Sequence, residues 1–306
     1  MTSVPPSSGF GSAPPARPEL PEGLPPERVP PSAPEPVRED GWLALPAWIP
    51  FAAMFAAVVA ILVVGALVTG IYLVAEPDAD TGTTPDGLLI GLTVVQDLLL
   101  MGAAVFAVMA VLKRATPRMF GFRGVSFITA VKWMAAAYVG YWAFNVALLG
   151  VFGEPPEQDL VRDLRETDDL AVLIGFGVLT CFVAPIAEEF FFRGFMYRVL
   201  AERTNVAVGA VVTGAVFGLV HLPSGDLVGV LVLSLFGVAL CLVLWKTASL
   251  IPCIMLHAFH NSISFGFTKE LPWWGFLLLI AGSVMTTLAL SLVAMRAVPS
   301  ARRSPA

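Results

Sequence analysis

Several stretches of this 306-residue chain, among them 41–75, 204–225 and 271–295, run beyond 18 residues with no Asp, Glu, Lys or Arg. A helix of that length crosses the ~30 Å hydrocarbon core of a bilayer and satisfies its own backbone polar groups there. This feature excludes a soluble globular fold and predicts a bundle of spanning helices. Composition agrees, with 57% hydrophobic residues, 13% charged and a mean hydropathy of +0.81. The average is diluted, because residues 1–40 hold 12 of the 25 prolines and nine charged residues.

The segment 1–40 is too proline-rich and too poor in aliphatic residues to bury a core, and it reads as a disordered cytoplasmic tail. It is not a signal peptide, since the first apolar run comes only at Gly41–Ala75 and is long enough to be a permanent span. A net charge of -5 leaves no basic face for nucleic acid. Cys181, Cys241 and Cys253 lie inside apolar segments without disulfide or zinc-knuckle spacing, and read as small core residues.

Charge gaps predict an all-α, polytopic membrane protein of about eight spans with a polar intramembrane cavity. They lie near 48–74, 88–112, 126–150, 177–201, 205–222, 227–245, 248–267 and 272–296. Loops alternate in basic content: 113–123 carries Lys113, Arg114, Arg118 and Arg123, whereas 76–87 has only acids and 151–169 is mostly acidic. Arg198, Arg203 and Arg296 fall on the same side as the first basic loop. The positive-inside rule then places both termini in the cytoplasm. The expected divisions are the tail 1–40, helices and loops over 41–170, a catalytic core over 171–268, and a last helix with a short basic tail over 269–306.

Ionisable residues at membrane depth each cost several kcal/mol unless paired or hydrated, roughly 2.5 or more on insertion scales, so each needs a reason. The candidates are Asp97, Lys132, Glu188, Glu189, Arg193, His221, His257 and His260, with Asn261 beside them. In APIAEEFFFRG, Glu189 and Arg193 are four residues apart and share a helix face, while Glu188 is turned about 100° away. Pro185 removes a backbone hydrogen bond three residues earlier. The pair reads either as an ion pair locking helices or as part of a site.

The stretch FGLVH places Phe217 and His221 one turn apart, a packing histidine or a working one. In SLIPCIMLHAFHN, Ser249, Cys253, His257 and Asn261 recur every fourth residue as a polar stripe, with His260 near the same face. Helix contact through small and polar residues is the plainer reading of that stripe. Depth favours convergence. With a hairpin at Thr204, Glu188 lies 16 residues before the turn and His221 17 after it. Counted from Ala248, His257 and Asn261 are about 14 and 20 Å into their span at 1.5 Å per residue.

These motifs together resemble the CPBP intramembrane proteases, the family of the type II CaaX prenyl endopeptidases and of bacteriocin-processing proteins. The resemblance rests on EExxxR at Glu188, Glu189 and Arg193, FxxxH at Phe217 and His221, and HxxxN at His257 and Asn261, and covers roughly residues 172–267. Ala248 stands where a glycine is common. The resemblance implies an endopeptidase acting on a membrane-associated protein or peptide. Glu188 would be the base that activates water, with His221 sharing the task, and His257 and Asn261 would hold the oxyanion. Glu189 and Arg193 would support them from behind.

The family is described both as zinc-dependent and as metal-free and glutamate-dependent. HExxH is absent, so the spacing is no zinc signature. A metal-free reaction is placed first, and Glu188, His221 and His257 are the ligands if zinc is bound.

Other intramembrane protease chemistries lack their inventory: Asp97 has no second membrane aspartate, and Ser262 and Ser264 lack a Gly-x-Ser context. Two non-protease readings stand behind this one. One is a membrane adaptor or immunity protein that uses the polar residues as helix glue; the other is a proton-coupled transporter with Asp97 in a relay. Asp97 lines the cavity or pairs with Lys132, and the sequence does not choose between them.

Overall fold

The computed structural model describes residues 41–78, 85–153, 159–222 and 226–296. The proline-rich segment 1–40 and the basic end 297–306 lie outside the described residues. Among those described the chain is entirely helical, as expected. The long helices are α1 (Ile49–Ala75), α2 (Asp86–Leu112), α3 (Phe127–Phe152) and α5 (Leu170–Arg203), then α6 (Val206–Leu219), α7 (Leu227–Thr247), α8 (Ile251–Thr268) and α9 (Trp273–Arg296). A short α4 (Asp159–Glu166) occupies the acidic loop, where the sequence reading placed no helix.

The eight expected spans correspond one to one with the eight long helices, but only six are both long and apolar enough to cross a membrane unaided. α6 has 14 residues, which at 1.5 Å each reach about 21 Å, short of the ~30 Å required. α8 has 18 residues, and His257, His260 and Asn261 lower its hydropathy. Both exceptions are helices that carry motif residues. α1 and α3 turn large side chains such as Phe55, Val74, Phe127 and Phe144 outward, as lipid-facing helices do. α7 is the most buried of these six helices.

Polar side chains mark where helices start. Asn205 Oδ1 accepts from the Val208 N–H (2.9 Å), Asp226 Oδ1 from Gly229 (2.8 Å) and Asp169 Oδ1 from Ala171 (2.8 Å). Each satisfies a donor that the first helical turn leaves open. The Asn205 cap fixes the α5–α6 hairpin at Thr204, where the sequence predicts it. α7 ends at Ala248 in the left-handed region, φ +52°. That is the conformation in which glycine is least strained, and so the physical reason a glycine suits this position.

α6 and α7 cross with almost no space between their backbones. Gly214 and Gly218 form a GxxxG pair on α6; a Cβ on Gly237 of α7 would stand 2.8 Å from Gly214 Cα, and one on Gly218 would overlap Ser234 Oγ and the Val230 carbonyl. Small residues at such a crossing let backbones approach, which is the main route to tight packing where lipid is as apolar as the helices. α8 and α9 are joined differently, by a hydroxyl pair between Ser262 and Ser283 at 2.8 Å.

The residues preceding α1 are part of the packed structure. Trp42 and Leu45 are buried, the Trp42 indole meets Phe120 and Phe195, and Arg203 Nε donates to the Leu45 carbonyl at 2.8 Å. The basic 113–123 loop also docks: Phe120 stacks on Phe190 with centroids 4.2 Å apart. Leu250 N–H donates to the Gly121 carbonyl (2.7 Å) and Ser249 Oγ to that of Arg123 (2.6 Å).

Replacing Gly218 by valine forces a branched side chain into backbone that cannot retreat. Overpacking of this kind costs about 1–3 kcal/mol or more. The unfolding temperature of Gly218→Val in detergent is therefore expected to fall clearly below that of the unsubstituted protein, and an unchanged value would contradict the crossing described.

Candidate active site

α5 is not a uniform α-helix. Two π-helical turns, Leu179–Val183 and Phe192–Tyr197, flank the α-helical stretch Ala184–Phe191 that carries both glutamates. The first has a visible cause. The Ala184 N–H reaches back to Leu179 O, and Pro185, next in that register, has no N–H to give to Thr180 O. Asn261 of α8 takes that carbonyl instead, its Nδ2 donating at 2.9 Å. The proline thus converts a backbone acceptor of α5 into an anchor for the end of the HxxxN motif.

Glu189 and Arg193 form the expected pair, with Nη1 donating to Oε1 at 2.8 Å and neither side chain exposed. Arg193 is held on two further sides. Nη2 donates to the Gly237 carbonyl of α7 at 3.0 Å, and the guanidinium carbon lies 4.4 Å from the centre of the Phe217 ring on α6. The same Oε1 of Glu189 also accepts from His257 Nδ1 of α8 at 2.8 Å. One carboxylate oxygen therefore ties α5 to α8, and one guanidinium ties α5 to α6 and α7.

His257 is 4% exposed and fixed on every side. Phe217 and Phe236 meet its ring edge to face, at 5.8 and 5.5 Å between centroids. A carboxylate only accepts, so Nδ1 carries the proton toward Glu189. Nε2 is left facing Glu188 Oε2 at 3.8 Å. That is longer than a direct hydrogen bond. The Glu188 side chain is 19% exposed, whereas that of Glu189 is not exposed at all. Adjacent carboxylates thus have opposite environments, as their 100° separation on the helix requires.

The remaining candidates divide. His221 follows the end of α6; its Nδ1 lies 2.7 Å from the Phe217 carbonyl and its ring 5.1 Å from that of Phe217. Phe217 thereby touches Arg193, His221 and His257 at once. His260 does not join this group. Three residues beyond His257, it turns into an aromatic pocket, 4.4 Å from Phe236, with Nδ1 3.2 Å from the Tyr138 hydroxyl. Asp97 of α2 is 3% exposed, and its Oδ2 is buried without a hydrogen-bond partner. Its helix packs on the stretch of α5 that carries Glu188, while Lys132 stands over Trp133. The three cysteines are free and buried. Sequence reasoning missed Gly237 and Phe236, whose parts depend on the α6–α7 crossing; the GxxxG spacing was the available signal.

Glu188, His221 and His257 are the residues that the sequence offers as zinc ligands. Glu188 and His257 face each other, but among the described residues no three His, Cys, Asp or Glu side chains gather around one point at metal-binding distances. The donor set does not fit a zinc ion as arranged, and no step is derived through one.

Residues 170–263 match the family model described as type II CAAX prenyl endopeptidase Rce1-like. The matched segment is under a third of the chain; it runs from the start of α5 into α8, holds all three motifs, and over that stretch the chain is similar to the CPBP membrane proteases. No curated protein and no solved structure matches the chain.

Removing one partner from a buried ion pair strands the other, at about 3–5 kcal/mol. Arg193→Leu is expected to lose stability on that scale in chemical unfolding. The double variant Glu189→Gln/Arg193→Leu should recover much of the loss, because no unpaired charge remains. Costs that simply add would contradict the coupling.

Proposed function

We propose that this protein is an intramembrane endopeptidase that hydrolyses a peptide bond of a membrane-associated protein or peptide with a water molecule activated by Glu188. The observation that carries this reading is the placement of Glu188 Oε2 opposite His257 Nε2 at 3.8 Å, with His257 locked from behind by the buried Glu189–Arg193 pair. Fixed groups in a site shielded from bulk water stabilise developing charge without reorganising.

In the proposed reaction Glu188 takes a proton from the water as its oxygen attacks the scissile carbonyl carbon. The C–O bond forms and the carbonyl becomes an oxyanion. That charge is met by His257 Nε2 in its imidazolium form and by Asn261. Asn261 spends one amide hydrogen on Thr180 O and has a second to offer. Glu188 then returns the proton to the leaving nitrogen as the C–N bond breaks, so no group outside the site is consumed. His221, held against Phe217 and its carbonyl, shares the proton work. Glu189 and Arg193 act through His257 by fixing which of its nitrogens faces the substrate. The cytoplasmic placement of both termini and a metal-free reaction belong to the same proposal.

The Glu188 side chain is partly exposed while its Oε2 is buried with no hydrogen-bond partner, which supports its use as an acceptor for a water rather than as helix glue. The name of the matched family supplies the first probe, a prenylated peptide with a CaaX end, to be tested beside an unprenylated membrane peptide. Glu188→Gln keeps the shape of the side chain and removes the base. With chelator present throughout, purified Glu188→Gln in liposomes should cleave at least a hundredfold more slowly than the unsubstituted protein, within the range of general-base effects, while unfolding at the same temperature. Cleavage at the original rate would remove Glu188 from the reaction. Activity of the unsubstituted protein that disappears with chelator and returns with zinc would overturn the metal-free scheme.

A further inference from the structure

We infer that the cluster of Lys132, Trp133, Trp245 and Lys246, between α3 and α7, is a seat for the phosphate of an anionic phospholipid. Lys246 Nζ lies 3.7 Å from the centre of the Trp245 ring and 4.9 Å from that of Trp133, and Lys132 Nζ lies 5.4 Å from the same Trp133 ring. Two ammonium groups from different helices therefore share one indole. Among the described residues neither has a carboxylate at ion-pair distance. Neither ammonium group is matched by an acid there, and an anionic group is the partner that the cluster lacks.

Position in the fold decides what kind of anion fits. Lys132 is the sixth residue of α3, and Lys246 lies in the last turn of α7. Both ammonium groups thus start from within helices long enough to span the bilayer, near their ends, at the depth where lipid phosphates lie. Trp245 is 48% exposed beside them, and indoles favour that same interfacial layer. A free solute would have no use for the apolar rings, whereas a phospholipid can place its phosphate on the lysines and the start of its acyl chain on the indoles.

Charge around the cluster is complementary to such a ligand. The docked 113–123 loop and the α5–α6 hairpin bring Lys113, Arg114, Arg118, Arg123, Arg198 and Arg203 to this end of the bundle. The opposite end holds Asp86, Asp168, Asp169, Asp226 and Glu270. Basic residues near an anionic leaflet contribute about 1 kcal/mol each.

The test uses the full chain in phosphatidylcholine nanodiscs with increasing phosphatidylglycerol, with bound lipid counted by native mass spectrometry. The unsubstituted protein is expected to retain phosphatidylglycerol in preference to phosphatidylcholine. Lys132→Gln/Lys246→Gln, checked for an unchanged unfolding temperature in phosphatidylcholine alone, should lose that preference for phosphatidylglycerol, because the two groups that hold the phosphate are gone. Lys113→Gln/Arg114→Gln, which removes two charges at the same end, should weaken it far less. Equal losses in the two variants, or no loss in the first, would overturn the seat. Displacement of the lipid by inorganic phosphate at matched concentration would show a site for free anions and overturn the lipid assignment.

Discussion

A single oxygen, Glu189 Oε1, receives hydrogen bonds from Arg193 and from His257, each at 2.8 Å, with the Glu189 and Arg193 side chains wholly buried. Charges so placed are expensive, and they persist only where every partner is in position. Much of the surrounding architecture meets that requirement. The glycine crossing of α6 and α7 brings the Gly237 carbonyl within reach of Arg193, and Phe217 of α6 covers the guanidinium. The result is a rigid support behind one imidazole. Only Glu188, one residue along the same helix, is turned out of that network toward partial exposure.

This division of labour between adjacent glutamates follows from helix geometry alone. A step of one residue rotates a side chain by about 100°, so a pair at consecutive positions cannot serve the same space. One is committed to structure and one is available for chemistry. The same economy appears at Pro185, whose missing N–H leaves Thr180 O for Asn261. A π turn next to a functional residue is a recurring arrangement, and here it ties the orientation of α8 to a defect in α5.

Much of this was legible in the sequence, for reasons that are themselves physical. The spans, the Thr204 hairpin and the Glu189–Arg193 pair follow from charge gaps and from spacing of four, which are local properties. The sequence reading took α6 and α8 for ordinary spans, because it could not see that a short helix and a polar one are sheltered by their neighbours. It placed His260 near His257, and both rings pack on Phe236, but His260 turns its Nδ1 to Tyr138 instead of to the glutamates. Asp97 had two possible roles in sequence, and only the packing of α2 on α5 turns the helix that carries it toward the Glu188 stretch. The bond from His257 to Glu189 spans 68 residues, and no local rule predicts it.

Direct attack by water is the central claim, and isotope transfer tests it with least ambiguity. Cleavage of a membrane peptide in liposomes should be run to a single turnover in ¹⁸O-enriched water, with hydroxylamine present as a competing nucleophile, and the new carboxyl end weighed by mass spectrometry. The account predicts one ¹⁸O in that carboxyl group and no hydroxamate, because no acyl-enzyme forms. A hydroxamate product would reveal a covalent intermediate on the protein and contradict it.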